Sequence, residues 1–426
     1  MATLSLCMIV KDEAENLPRC LASVQGLADE IVIVDTGSGD ATPTIAEAAG
    51  AKVHFFMWND DFSAARNASL DQATKDWILV LDADETLTPE GAGFIRSLKA
   101  DQPMGKLPAD DLLLVTMMRR EIGANQSPYT QVARLFRNSM AMKYIRPYHE
   151  GVEDSVQALM AAEAHWQIAQ LGVVGIDHTG YGVDAIASKD KFSRAQRIME
   201  KHLADHPEDA YIANKLGALY TQSTPTLQNE TNSDRYEHAL ALLNTALRSG
   251  NFAPMTEYEL HYHRGIAYRH LEGTLDEAEA AYRKAIAIPI AGLLKLSAHL
   301  NLGTLLKLKG DLEGAIAQYE IAGRIDPKQP VTFFNIGVTH RARGYLEPAQ
   351  RAYEYALSLD PNYAAAYQNL AVVLFKLGKL PQCKAAFEKA IQLTQSTNPA
   401  AAERLRQGLK GLKIDEALAK AEKPTE

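Results

Sequence analysis

The chain has 426 residues, 46% of them hydrophobic and 23% charged, and a formal net charge of −9. This length and apolar content support two or three domains with sizeable cores. No apolar run approaches the roughly 20 residues of a membrane span, and three scattered cysteines (Cys7, Cys20, Cys383) are too few for a disulfide framework or a zinc site. Residues 1–187 carry 14 Lys and Arg against 26 Asp and Glu, a net of −12. That half is excluded as a nucleic-acid surface, because a phosphate backbone needs a basic face. A reducing, cytoplasmic setting is the expectation.

Leu4–Val10 has no basic stretch before it and no small-residue cleavage site after it, so it reads as a first strand and not as a signal peptide. A helix is expected over Glu13–Val24, with Pro18 tolerated near its first turn. Glu30–Val34 is a second buried strand that runs into Asp35-Thr36-Gly37. Then follow a helix over Thr42–Ala49, a strand over Lys52–Phe56, a helix over Ser63–Ala73 and a strand over Trp77–Leu81. Strands alternating with short helices imply a parallel sheet, whose ligands lie beyond the carboxyl ends of the strands. Asp35 and Asp82 both stand at such ends.

The Trp77–Leu81 strand hands over to Asp82-Ala83-Asp84-Glu85. In an extended segment Asp82 and Asp84 point the same way and could share one hard cation. A cation held by carboxylates, with positions left open to phosphate oxygens, suits a diphosphate. Two plainer readings stand beside this one. Asp35 could simply cap its own turn, and Arg66 could pair with Asp60 or Asp61 at a helix start. Beyond Pro89 the pattern is irregular; Asp111–Met118, Tyr129–Phe136 and Val173–Ile176 read as strands. Arg134 and Arg137 read as solvated strand charges.

From about Tyr211 the pattern changes to helix pairs. Leu302, Gly303, Ala315, Tyr319 and Ala322 recur as Ile336, Gly337, Ala349, Tyr353 and Ala356, and again as Leu370, Ala371, Cys383, Phe387 and Ala390. This 34-residue interval is that of the tetratricopeptide repeat. Looser units around Gly217 and Gly265 bring the expected number to five. The chain is therefore expected to divide into an α/β domain (1–187), a connecting helix (188–209), an all-α solenoid of repeats (210–400) and a capping helix and tail (401–426).

The first half resembles the GT-A glycosyltransferases of glycosyltransferase family 2, and within it a bacterial subgroup that carries tetratricopeptide repeats. Peptide S-glycosyltransferases and lipopolysaccharide-core glucosyltransferases are similar here. The resemblance rests on Leu4 to Glu13, Ile31 to Ser38, Asp61 to Asn67, Trp77 to Glu85, His149-Glu150 and His178-Thr179-Gly180-Tyr181, in that order. It implies a Rossmann-like, mostly parallel GT-A sheet, a nucleotide-diphosphosugar donor (a UDP-sugar), a Mn²⁺ or Mg²⁺ ion, and inverting transfer. By position, Val10, Lys11, Glu13, Asp35, Arg66, Asn67 and Asp82 would bind the nucleotide-sugar. Asp82, Asp84 and His178 would hold the metal, with His178 otherwise a diphosphate contact or a structural residue. Glu150 would be the catalytic base, with Glu153 and Asp154 as neighbours that could replace it.

The repeats, which offer an extended concave surface, would select a protein or peptide acceptor or build a homodimer. The alternatives are a polysaccharide or lipid-linked acceptor, or a non-catalytic scaffold that keeps the fold. Neither a nucleic-acid partner nor a transmembrane segment is expected.

Overall fold

The computed structural model describes residues 1–102, 108–124, 128–180, 189–222, 231–250 and 252–414. They form two compact units, Met1–Thr256 and Glu257–Glu426.

The first unit is built on an eight-stranded mixed sheet in the order β3-β2-β1-β4-β7-β6-β8-β5. The strands are β1 (Leu4–Val10), β2 (Glu30–Asp35), β3 (Lys52–Phe55), β4 (Trp77–Val80), β5 (Glu85–Leu87), β6 (Leu112–Glu121), β7 (Tyr129–Arg137) and β8 (Gln167–His178). β3, β2, β1 and β4 are mutually parallel, as the alternation of strands and helices predicts. β7 then joins antiparallel to β4 and to β6, and β8 runs parallel to β6 and antiparallel to β5.

Alternation along β1 gives each face of the sheet its own core. Leu4, Leu6, Met8 and Val10 pack on one side with α1 (Leu17–Ser23), α2 (Thr42–Ala48) and α4 (Pro89–Lys99). Cys7, Val32, Ile78 and Val80 pack on the other with Leu70 of α3 (Phe62–Leu70) and Val156 of α5 (Glu153–Ala162). β1 is thus covered on both faces, which is why it reads as an unbroken apolar run.

The structure departs from the sequence reading in places. α1 begins four residues later than expected, because Pro18 lacks the N–H that only the first turn can do without. α4 and α5 lie in the irregular region, and β5 directly precedes it. The signal for α4 is nonetheless local: Thr88 caps it by accepting from the Gly91 N–H at 3.0 Å, and Pro89 opens its first turn.

The first unit extends past the change of pattern near residue 187. It takes in α6 (Lys189–Asp205), α7 (Ala210–Gln222) and α8 (Asn232–Ser249). Arg146 explains much of this: its guanidinium bonds Asp154 and, at 2.8 Å, Asp209, and lies over the Tyr211 ring.

The second unit consists of antiparallel helix pairs: α9 (Pro254–His270) with α10 (Leu275–Ala287), α11 (Leu296–Leu308) with α12 (Leu312–Ile325), α13 (Pro330–Ala342) with α14 (Leu346–Leu359), and α15 (Ala364–Lys376) with α16 (Leu380–Gln395). α17 (Pro399–Gly411) packs on α16 as a cap. The repeat glycines are required by close approach. A Cβ on Gly265, Gly303 or Gly337 would stand 2.6 Å from the ring of Tyr282, Tyr319 or Tyr353 respectively. Among the described residues no helix is long and apolar enough to cross a membrane.

Glu30 ties the amino-terminal edge of the sheet together. It is buried and accepts from Ser5 Oγ (2.6 Å), Lys52 Nζ (2.7 Å), and the N–H (2.8 Å) and hydroxyl (3.0 Å) of Thr74. Burial alone would raise its carboxyl; these donors hold it down at about 2. A carboxyl that is more acidic when folded contributes stability above its unfolded pKa of about 4.3 and loses it as pH falls toward the folded value. Glu30→Gln should therefore lower unfolding stability at pH 7 by about 2 kcal/mol. The gap to the wild type should close between pH 4 and 2 in urea titrations at stepped pH. An equal gap at both ends of that window would contradict the linkage.

Candidate active site

The carboxyl ends of the parallel strands converge on one cluster of charged side chains, and three arginines hold it together. Asp82 leaves β4 and turns at once, because its N–H donates to Glu85 Oε2 (2.9 Å) and its carbonyl accepts from the Glu85 N–H (3.0 Å). The segment is then no longer extended, so the expectation that Asp82 and Asp84 point the same way fails. The Asp82 carboxylate is held by Arg66 (2.6 Å) and Arg134 (2.5 Å), whereas Asp84 meets His178 Nε2 at 3.1 Å.

Arg66, on α3, is only 5% exposed and bridges two acids: Nη2 bonds Asp82, and Nε bonds Glu150 Oε1 at 2.7 Å. It pairs with neither Asp60 nor Asp61. Asp61 caps α3 by accepting from the Ala64 N–H, and Asp60 pairs with Arg197. The guanidinium, expected beside the nucleotide, clamps these two acids together in the interior. Asn67, expected beside it at the nucleotide, is engaged within the protein. Its amide donates to the Tyr144 carbonyl (2.9 Å) and accepts from the Tyr144 N–H (2.8 Å), which fastens α3 to the segment leading to Glu150.

Arg134 is not a solvated strand charge. Its Nη2 lies between Asp82 and, at 2.8 Å, Glu85, itself fully buried. The pairing of β6 with β7 passes from Val115–Leu135 to Thr116–Ala133, which leaves Arg134 as the extra residue of a bulge. A bulge re-aims a side chain, so simple alternation misplaces it. Arg137 instead lies over the Trp77 ring, 4.4 Å from its centre.

Asp35 closes β2, in register with Val10 at the end of β1. Its Oδ1 accepts from the N–H groups of Gly37 (2.9 Å) and Ser38 (3.0 Å), and its Oδ2 from Ser38 Oγ (2.5 Å). The turn-capping reading therefore describes how this carboxylate is engaged in the structure. Lys11 is exposed just beyond β1. The Glu13 N–H donates to Thr42 Oγ1 (2.8 Å) and its carboxylate accepts from Asn16 (2.9 Å), which orders the loop beside it.

His178 ends β8 with a carboxylate at each nitrogen, Glu121 at Nδ1 (2.5 Å) and Asp84 at Nε2 (3.1 Å). Burial would lower its proton affinity, but the two acids push it up to about 9. Glu121, 2% exposed at the end of β6, also bonds Arg119 Nε (2.8 Å) and Thr130 Oγ1 (2.7 Å). Arg119 reaches across to Glu85 at 2.7 Å. Glu85, Arg119 and Glu121 were not anticipated. The available signal was charge at the end of an otherwise apolar strand, Arg119-Arg120-Glu121, and the exact placement needs the sheet.

Among the described residues no three His, Cys, Asp or Glu side chains form a group that could hold a metal ion. The expected trio is divided, because the Asp82 carboxylate is taken by arginines. What remains is a two-donor cradle. A Cβ on Gly180 would stand 2.5 Å from Asp84 Oδ2 and 2.6 Å from His178 Nε2, so the glycine leaves a point open that lies within reach of both. One carboxylate and one imidazole, with remaining positions open to phosphate, fit a Mg²⁺- or Mn²⁺-type ion. Tyr181 lies outside the described residues.

Glu150 sits in a loop that is closed by paired hydrogen bonds between Ile145 and Gly151 (3.1 and 3.3 Å). Arg146 and His149 there adopt left-handed φ values of 79° and 52°, a strain that is typical of sites which fix one side chain. The neighbouring acids are placed differently. Asp154 pairs with Arg146, and burial raises the carboxyl of Glu153. Glu150 alone of the three joins the Arg66 clamp. Its Oε2 makes no hydrogen bond among the described residues, with Oε1 on Arg66.

Residues 5–164 match the model of glycosyl transferase family 2, and residues 231–292, 331–363 and 352–385 match tetratricopeptide repeat models. A TPR repeat-containing protein of Synechococcus elongatus is 44% identical over 312 residues, 73% of each chain. A glycosyltransferase of Rickettsia bellii is 28% identical over 198 residues, 46% of this chain and 67% of that one. The SPbeta prophage-derived glycosyltransferase SunS of Bacillus subtilis is 26% identical over 272 residues, 60% of this chain and 61% of that one. A charged cluster at the carboxyl ends of parallel strands, inside a domain of that family, fits these relatives: the chain belongs to glycosyl transferase family 2, as a glycosyltransferase that carries tetratricopeptide repeats after its transferase domain.

Proposed function

We propose that the chain transfers a sugar, with inversion, from a nucleotide-diphosphosugar such as a UDP-sugar to a protein or peptide acceptor held by the repeats. The observation that carries this reading is the Arg66 bridge between Asp82 and Glu150 (2.6 and 2.7 Å). It joins the strand-end acid of the donor side to the acid of the His149-Glu150 motif in one rigid unit.

Donor binding falls to the loop ends around Val10, Lys11, Glu13 and Asp35, which surround the carboxyl ends of β1 and β2. Asp84 and His178 would hold a Mg²⁺ or Mn²⁺ ion, and Gly180 leaves the room for it. When bound, such an ion neutralises the diphosphate as leaving group. Glu121 holds the Nδ1 side of the imidazole and so directs Nε2 to the cradle, the usual arrangement behind a ligating histidine. Arg66 takes Glu150 Oε1 and leaves Oε2 to receive the acceptor's proton as the new bond forms. In-line displacement requires that base on the face of the sugar opposite the diphosphate. The acceptor preference follows from the repeats, whose stacked pairs suit extended polypeptide.

Two experiments test this. Gly180→Ala fills the cradle without removing a donor. It should abolish Mn²⁺ binding, measured by calorimetry or by the Mn²⁺ electron paramagnetic resonance signal, and with it donor-dependent nucleotide release, while the melting temperature is kept. Full turnover in excess EDTA would sink the metal-dependent reading.

Glu150→Gln keeps shape and hydrogen bonding but cannot take a proton. With a hydroxyl acceptor its kcat should fall by about 10²–10⁴ while donor affinity holds, and a thiol acceptor should suffer less. Wild-type kcat on a hydroxyl would move the base elsewhere.

A further inference from the structure

In the second unit, one position of the repeat carries a cation three times in succession. Arg269, Lys307 and Arg341 each stand four residues, one helical turn, beyond the glycine that packs on the repeat tyrosine (Gly265, Gly303 and Gly337). They therefore share a face of α9, α11 and α13. All three are half-buried. Among the described residues none forms an ion pair with a carboxylate; Arg269 bonds the ring of His270 at 3.1 Å, Arg341 reaches the Tyr353 hydroxyl, and the Nε atoms of Arg269 and Arg341 are buried without a partner. The side chains are also near one another's repeats. Arg269 acts on both Tyr282 and Tyr319, and Arg341 acts on Tyr353 and on Lys307, whose amine is pushed down by burial and by that like charge.

Half-buried cations with no acid to offset them, two of which (Lys307 and Arg341) repel each other, are unfavourable for the fold alone. A cation in the last turn of a helix does complement the carbonyl ends, but that effect is available to a fully solvated side chain. The fourth repeat breaks the series in an informative way. Phe375, at the same position after Ala371, is apolar and 38% exposed. The face thus runs from three cations that have no carboxylate partner among the described residues to one exposed aromatic ring.

We propose that Arg269, Lys307 and Arg341 form a docking row for an extended polypeptide segment that carries acidic side chains along its length and an apolar side chain against Phe375. This deepens the reading of the repeats as the acceptor-holding surface and rests on it. A polypeptide is favoured over a nucleic acid because the row is short and ends in an apolar contact, and because the chain as a whole is anionic, at −9.

The test uses the full chain and three fluorescent probes: a Glu-rich peptide ending in Leu, its Gln-for-Glu analogue, and a single-stranded oligonucleotide. The Glu peptide should bind saturably, weaken as salt rises, and exceed the Gln analogue by about tenfold or more. The triple variant R269Q/K307Q/R341Q should lose that advantage while donor-dependent nucleotide release continues. Phe375→Ala should weaken the Leu-ended peptide and leave an otherwise identical Gly-ended one unchanged. If the triple variant does not fold, Lys307→Glu takes its place and should repel the Glu peptide. Undiminished peptide binding by these variants, binding insensitive to salt, or preference for the oligonucleotide overturns the proposal. Failure of nucleotide release in the wild type would count against the transferase reading and would leave the peptide measurements to judge the row separately.

Discussion

Everything at the candidate site depends on one buried guanidinium. Arg66 lies between Asp82 and Glu150, and without it two carboxylates from distant parts of the chain would face each other in a poorly solvated space. Removing one partner of such a buried pair strands a charge, which is far costlier than losing a surface contact. The same logic extends outward. Arg134 and Arg119 hold Glu85, and Arg119 and His178 hold Glu121. Five carboxylates (Asp82, Asp84, Glu85, Glu121, Glu150) thus stand against four cations (Arg66, Arg119, Arg134, His178), so the cluster is nearly neutral but remains one charge acidic. A near-neutral network of this kind can stay folded, and a metal ion at His178 would have to displace the proton that its Nε2 shares with Asp84.

The sheet explains why these groups meet. β1, β2 and β4 are parallel and end together, which places Asp35 and Asp82 at one edge. β7 is antiparallel to β4, so Arg134 reaches that edge from the opposite chain direction, and a bulge turns it inward. β8 pairs with β5 and β6 and brings His178 opposite Glu85 and Glu121 in register. A uniformly parallel sheet of the same strands would send the ends of β7 and β4 the same way and would leave Asp82 without its second arginine.

The repeats follow a different physics. Their stability comes from local contacts between neighbouring helices, repeated with small changes. Gly265, Gly303 and Gly337 allow the close crossing, and Tyr282, Tyr319 and Tyr353 fill it. Because every repeat satisfies its own core in the same way, positions outside that core are free to vary with function. Arg269, Lys307, Arg341 and Phe375 occupy one such position.

By itself the sequence determined what local periodicity encodes. The apolar runs of β1, β2 and β4, the helix between each pair, and the 34-residue recurrence of small and aromatic residues all follow from nearest neighbours along the chain. The strand-end location of Asp35 and Asp82 follows from them as well. Only the tertiary structure decided where the side chains point. The turn at Asp82–Glu85 separates Asp82 from Asp84, the bulge at Arg134 reverses its exposure, and Asn67 reaches Tyr144 across 77 positions of sequence. Glu121 and His178, 57 positions apart, become partners only when β6 and β8 pair. Such contacts depend on register and on distant partners, and a single strand's pattern carries neither.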